Sequence, residues 1–279
     1  MTDYRCTPAE VLLRDTKVPI KVVENDIDVV HDMVYVMLEE IRKNNAQGKK
    51  TVFIVPVGPV GQYKRFAAIA MHEQLDLSNL YIINMDEYLT DEREWIDYDH
   101  PLSFRGFMDR EFYDLLTGPC FIPEDHRIFP TPGKEDEIQK KIDELGGVDI
   151  AFGGIGIMGH IAFNEALDED EEMSNEDFAN LPTRILPLTK ETRTINSVTG
   201  LGGYIDGIPK WCITIGMKEI LSARKLRFYM NREWHRGIIR KICLGPVTGH
   251  VPASFFQTHP DALLTMAEHV TLPPSGLLR

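Results

Sequence analysis

An α/β fold on a mainly parallel open sheet, Rossmann-like with helices on both faces, is predicted by three observations. Short β-branched apolar runs recur along the chain, segments of helical period separate them, and three of the runs end in glycines or carboxylates. The 279 residues read as a single domain, 1–279, in which 166–200 forms a small lid. Asn25 or Asp26 caps a first helix, whose apolar positions Val29, Val30, Met33, Met37 and Ile41 follow helical spacing before the polar stop at 44–48. Residues 51–57 (TVFIVPV) read as a buried strand, and a turn from Gly58 to Gly61 leads into a helix around 63–75. The run 80–84 is the next strand and passes directly into Met85-Asp86-Glu87-Tyr88. Helices are expected near 103–116 and 135–145, and strands at 148–154, 211–215 and 226–230, joined as βαβ units.

Composition narrows the function. Forty-three acidic against thirty basic side chains leave a formal charge of −13, which excludes the broad basic face of a nucleic-acid binder while leaving room for a local anion pocket. No run reaches the roughly 18–20 apolar residues of a membrane span, so no membrane partner is expected. The N-terminus lacks the apolar core of a secretory signal, and Cys6, Cys120, Cys212 and Cys243 are scattered without a CxxC pair. A reduced, cytoplasmic setting is the expectation. The charge is unevenly spread: seven acidic residues and no basic one lie in 168–177. That run is expected to be a solvated insertion; folded over a pocket, it would disfavour a dianion.

In open parallel sheets ligands bind beyond the carboxyl ends of the strands, and three such ends carry chemistry here. Gly58 and Gly61, in Val57-Gly58-Pro59-Val60-Gly61, let backbone approach an anion at a helix start. Asp86-Glu87 places carboxylates directly after an apolar strand, where one serves as a general base or both serve as turn and cap residues. Gly153-Gly154-Ile155-Gly156-Ile157-Met158-Gly159-His160 delivers a histidine past a buried strand, with Glu165 five residues on to orient it or raise its pKa. Histidine and cysteine spacing suggests no metal. Trp211 is expected in the core, His235 on an exposed helix face, and His250 and His259 in a loop and a helix start.

Together these segments resemble the glucosamine-6-phosphate deaminase (isomerase) family, itself related to 6-phosphogluconolactonases. The likeness rests on Asn84-Met85-Asp86-Glu87-Tyr88, on His100-Pro101 with Ser103-Phe104 and Phe107-Met108, and on Gly159-His160-Ile161-Ala162-Phe163-Asn164-Glu165. Thr183-Arg184-Ile185, Thr192-Arg193, Pro209-Lys210 and His259-Pro260 follow in the family's order, so it spans about 50–265. The resemblance implies conversion of an amino-sugar 6-phosphate to the ketose phosphate with release of ammonia, without metal or organic cofactor. It implies that Asp86 moves the C2 proton, that His160 assists ring opening with Glu165 as its partner, and that Gly58, Val60, Gly61, Arg193 and Lys210 receive the phosphate. Family members range from monomers to hexamers, so a homo-oligomer is open.

The sequence also departs from the family's pattern. The first-strand turn carries Pro59 and Val60 where a glycine pair and a hydroxyl residue are usual, Met158 stands where an aspartate precedes the histidine by two, and the segment between Glu165 and Thr183 is long. Leu186 occupies a basic position linked to allosteric activation in some members, so such activation is not expected. Two further readings therefore stay open: the same proton-transfer apparatus on a shifted sugar, and a sugar-phosphate-binding regulator without turnover.

Overall fold

Two sheets divide the chain between them. The computed structural model describes residues 4–274, so the ends of the expected domain 1–279 lie outside the described residues. Helix α1 (Ala9–Asp15) and strand β1 (Ile20–Val23) precede the 21-residue α2 (Asp26–Ala46), which Asn25 caps by accepting from the N–H groups of Ile27 and Asp28. Strand β2 (Thr51–Val55), α3 (Gln62–Glu73) and β3 (Leu80–Asn84) form the first parallel unit. After β3 come β4 (Asp86–Leu89), α4 (Phe104–Glu111), β5 (Arg127–Ile128), α5 (Glu137–Leu145) and β6 (Ile150–Gly154). The second half runs through α6 (Asn175–Ala179), β7 (Arg184–Pro187), α7 (Lys190–Gly200), β8 (Trp211–Thr214) and α8 (Met217–Leu221). It closes with β9 (Lys225–Met230), α9 (His235–Leu244), β10 (Ala262–Ala267) and α10 (Glu268–Thr271).

The main sheet has seven strands in the order β1-β10-β9-β6-β2-β3-β5, every pairing parallel. All five residues of β2 are buried, and Phe53 meets Phe152 of β6 edge to face at 5.1 Å. Because β2 pairs with β3 on one side and with β6 on the other, the strand order reverses there. A crevice opens at the carboxyl ends of exactly those strands whose ends carry chemistry in the sequence.

One expectation needs correcting. The 211–215 strand does not extend the parallel sheet: β8 is the middle of a separate antiparallel sheet, β4-β8-β7. The chain leaves β3, turns at Met85 and enters the second sheet at Asp86. Met85 is held at the corner, its N–H donating to Val55 O (3.0 Å) and its carbonyl accepting from Ile215 N–H (2.8 Å).

Glu87 fixes β4 to α4. Its carboxylate is fully buried and accepts from the N–H groups of Tyr88 (2.9 Å), Phe104 (3.0 Å) and Arg105 (2.9 Å). Arg105 Nε pairs with it at 3.2 Å. The negative charge also sits at the start of α4, where the helix dipole favours it. Removing half of a buried, hydrogen-bonded pair strands the other half. Glu87→Gln is therefore expected to lower unfolding free energy by about 3–5 kcal/mol, read from urea denaturation; a change below about 1 kcal/mol would contradict this role.

Candidate active site

A cleft of about 380 Å³ lies over the strand-order reversal, walled by the ends of β2, β3, β6 and β9 and by α7. Asp86 and His160 both line it, as do Gly58 and Val60 of the first turn. What brings Asp86 and His160 together is the end of β8. Thr214 pairs with Asp86 across the small sheet, and its Oγ1 accepts from Phe163 N–H at 3.1 Å. Asn164 donates from Nδ2 to Ile215 O (2.9 Å) and accepts on Oδ1 from Arg184 Nη1 (2.7 Å). The histidine loop is thus fastened to the end of β8, which pairs with the strand that carries Asp86.

Two backbone positions shape that loop. Gly159 has φ 84°, and a β-carbon there would meet Ile238 and Val251 at about 3 Å. At Gly156 an added β-carbon would lie 1.9 Å from His160 Nε2, so only glycine leaves room for the ring.

Asp86 is buried, and its carboxyl is pushed well above the usual carboxylate range, first by burial and then by the neighbouring Glu87. The two adjacent acids have divided roles: Glu87 is consumed by donors from α4, whereas Asp86 pairs with no cation among the described residues and faces the cleft. His160 is pulled below its ordinary value by burial, with Glu165 acting in the opposite direction. Its Nδ1 lies 3.5 Å from Glu165 Oε2 and 3.4 Å from Thr192 Oγ1. Thr192 donates its hydroxyl to Glu165 Oε2 (2.8 Å), and Thr189 N–H donates to Oε1 (3.1 Å). With acceptors facing Nδ1, the network assigns the proton to Nδ1 and leaves Nε2 its lone pair. Met158 is 40% exposed and does not line the cleft; Thr192 and Glu165 surround Nδ1 instead.

The remaining expected residues lie elsewhere. Gly61, at φ 98°, forms the N-cap of α3. Arg193 is half-buried on α7, giving Nη2 to Ile205 O (3.3 Å), and Lys210 is exposed in the loop before β8. Neither lines the cleft, and neither does Gly61 or Glu165. The acidic run is also absent from the cleft: all seven carboxylates of 168–177 are exposed. Of segment 166–200, α7 alone reaches the cleft, through Ile195, Asn196, Thr199 and Gly200.

His235 corrects the sequence reading most sharply. It is buried, not exposed, and lines the cleft with Asn231, Arg232 and Trp234. Its Nδ1 accepts from Arg232 N–H (3.0 Å), so Nε2 carries the proton and donates to Ile155 O (2.9 Å). Trp211 is likewise half-buried rather than a core residue, with the Arg93 guanidinium stacked 3.3 Å from its ring centre. Among the described residues no group of three or more His, Cys, Asp or Glu side chains is placed to hold a metal. No helix among them is long and apolar enough to cross a membrane.

No family model matches the chain. A glucosamine-6-phosphate deaminase of Halothermothrix orenii is 30% identical over 209 residues, covering 74% of this chain and 80% of the relative. The chain belongs to the glucosamine-6-phosphate deaminase family. A family member from Clostridium beijerinckii is 29% identical over 218 residues, covering 76% of this chain and 82% of its own. Among solved structures, a monomeric glucosamine-6-phosphate deaminase superposes with a TM-score of 0.77 at 22% identity, over 90% of this chain and 98% of the other. A 6-phosphogluconolactonase from Thermotoga maritima shares the fold at a TM-score of 0.62 and 14% identity, over 89% and 98%.

Two pH predictions follow from the histidines. His235 is held neutral by burial down to about pH 4, whereas the unfolded chain takes up that proton near 6.5. The unfolded state therefore binds more protons between those values, and stability falls as pH drops through them. At pH 4.5 the loss is roughly 2–3 kcal/mol relative to pH 7. Denaturation curves at both pH values should show that component missing in His235→Gln; an equal loss in both proteins would refute it. For His160, Glu165→Gln removes the charge that raises its pKa, so the ring should titrate at lower pH by NMR. An unchanged or higher value would count against the contact.

Proposed function

We propose that this protein is an amino-sugar phosphate deaminase and isomerase, acting on glucosamine 6-phosphate or a close relative to give fructose 6-phosphate and ammonia. One observation carries the reading: Asp86 and His160 face the same cleft, held in mutual register by Thr214, with Glu165 and Thr192 behind the histidine.

His160 Nε2, with its free lone pair, takes the proton from the anomeric hydroxyl and delivers it to the ring oxygen as the C1–O5 bond breaks, giving the open-chain aldehyde. Asp86 then removes the proton from C2 while the C1 oxygen takes up a proton from water, leaving a hydroxy-enolamine across C1 and C2. Its buried, raised carboxyl suits this step, since a carboxylate that binds protons more strongly is the better base. The same carboxyl returns the proton to C1, which leaves an imine at C2. Water adds to that imine and ammonia departs, so one water is consumed for each ammonia released. Glu165 stabilises His160 while the ring carries charge. Asn196 donates to the Tyr88 hydroxyl at 2.9 Å and so ties α7 to β4 beside the reacting groups.

An ammonia-release assay with glucosamine 6-phosphate tests this directly. The wild type should turn over, and Asp86→Asn should lose at least about 10²-fold in kcat while its fold is preserved. Absence of ammonia from every amino sugar and amino-sugar phosphate offered would overturn the reading.

A further inference from the structure

We propose that Tyr229 is a specificity residue of this site, its phenolic hydroxyl pairing with the C4 hydroxyl of the sugar; this rests on the amino-sugar phosphate reading above. Tyr229 stands near the end of β9, is 2% exposed and lines the cleft. Its hydroxyl is buried and has no hydrogen-bond partner among the described residues. The other buried tyrosines among them are all served. Tyr63 donates to Pro56 O, Tyr113 accepts from Asn84 Nδ2 at 3.3 Å, and Tyr88 accepts from Asn196. A buried hydroxyl without a partner costs free energy, which a ligand hydroxyl entering the cleft recovers.

The surroundings leave this hydroxyl to the cleft. On β10 the register partner of Tyr229 is Thr265, whose hydroxyl donates to Asp32 Oδ2 at 2.9 Å, and Lys21 takes the other oxygen of that carboxylate. On β6 the register partner is Gly154, which lines the cleft and adds no side chain. Burial, and then the Asp32 carboxylate, push the phenol well above its ordinary pKa, so it stays a neutral donor. A neutral phenol beside a carboxylate favours a neutral hydroxyl over an anionic oxygen. Sheet order decides which hydroxyl. Strands β6 and β2 lie between β9 and β3, so β9 is about 14 Å from the strand whose end leads into Asp86. With Asp86 working at C1 and C2, Tyr229 faces the remote end of the sugar. There C6 bears the phosphate and the C5 oxygen closes the ring, which leaves the C4 hydroxyl.

Ammonia release from glucosamine 6-phosphate and from its 4-deoxy analogue, by the wild type and by Tyr229→Phe, tests the pairing. The variant keeps the ring and loses only the hydroxyl. It should lower kcat/KM on glucosamine 6-phosphate about tenfold, the equivalent of one hydrogen bond. On the 4-deoxy sugar, which has nothing for the phenol to meet, kcat/KM should stay within about twofold of the wild type. Thermal unfolding should be unchanged or shifted upward, since a stranded buried hydroxyl has been removed. An unchanged kcat/KM on glucosamine 6-phosphate would overturn the proposal, as would an equal loss on both sugars, which marks a packing role. If the wild type releases ammonia from neither sugar, the deaminase reading itself fails, a result distinct from turnover that is indifferent to the Tyr229 hydroxyl.

Discussion

The cleft is organised around Thr214, the last residue of β8, and Ile215, which follows it. They are the point where the parallel sheet, the small antiparallel sheet and the histidine loop meet. Thr214 pairs with Asp86 through the backbone and receives Phe163 through its hydroxyl. Ile215 donates its N–H to Met85 O and accepts from Asn164. Three hydrogen bonds and one strand pairing thus fix a carboxylate and an imidazole that lie 74 positions apart in sequence. Both side chains are buried, and these bonds set the backbone from which each one reaches the cleft.

Within that frame, identical chemistry is sorted by environment. Glu87, Asp86 and Glu165 are all carboxylates near one site, yet they do different things. Glu87 takes its donors from the first turn of α4 and is spent on architecture. Glu165 is bound by Thr189 and Thr192 and faces a histidine. Asp86 is buried without such donors, and the adjacent Glu87 charge pushes its proton affinity further up. Two carboxylates side by side are told apart by the number of N–H groups aimed at each.

The strands of the parallel core were legible because β2, β3, β6 and β9 are short apolar runs between helical segments. The antiparallel sheet was not. Its β4 consists of Asp-Glu-Tyr-Leu and reads as a turn, and β7 consists of Arg-Ile-Leu-Pro; such segments become strands only by pairing with β8. Strand β10, Ala-Leu-Leu-Thr-Met-Ala, contains helix formers and is a strand because β9 and β1 flank it. At the site, Asp86 and His160 were legible since each follows a buried strand. Thr192 was visible only as the neighbour of Arg193, and periodicity gives no sign that its hydroxyl is the member of the pair aimed at Glu165. Asn231 and Arg232 follow β9 directly, so the same strand-end rule that singles out Asp86 also points to them.

The uneven charge of the chain has a structural resolution. The acidic run is tethered by Phe178, buried against Phe255, and by Asn175, which donates to Val247 O at 2.9 Å. Leu167 N–H donates to Gly249 O, so the insertion is pinned to the loop after α9 rather than draped over the cleft. Its carboxylates face water, where salt confines their field to about 8–10 Å. The potential inside the cleft is set by the charges that line it, the Asp86 carboxyl and the Arg232 guanidinium. The strongly negative total of the chain is therefore carried away from the cleft, whose charged lining among the described residues is Asp86 and Arg232.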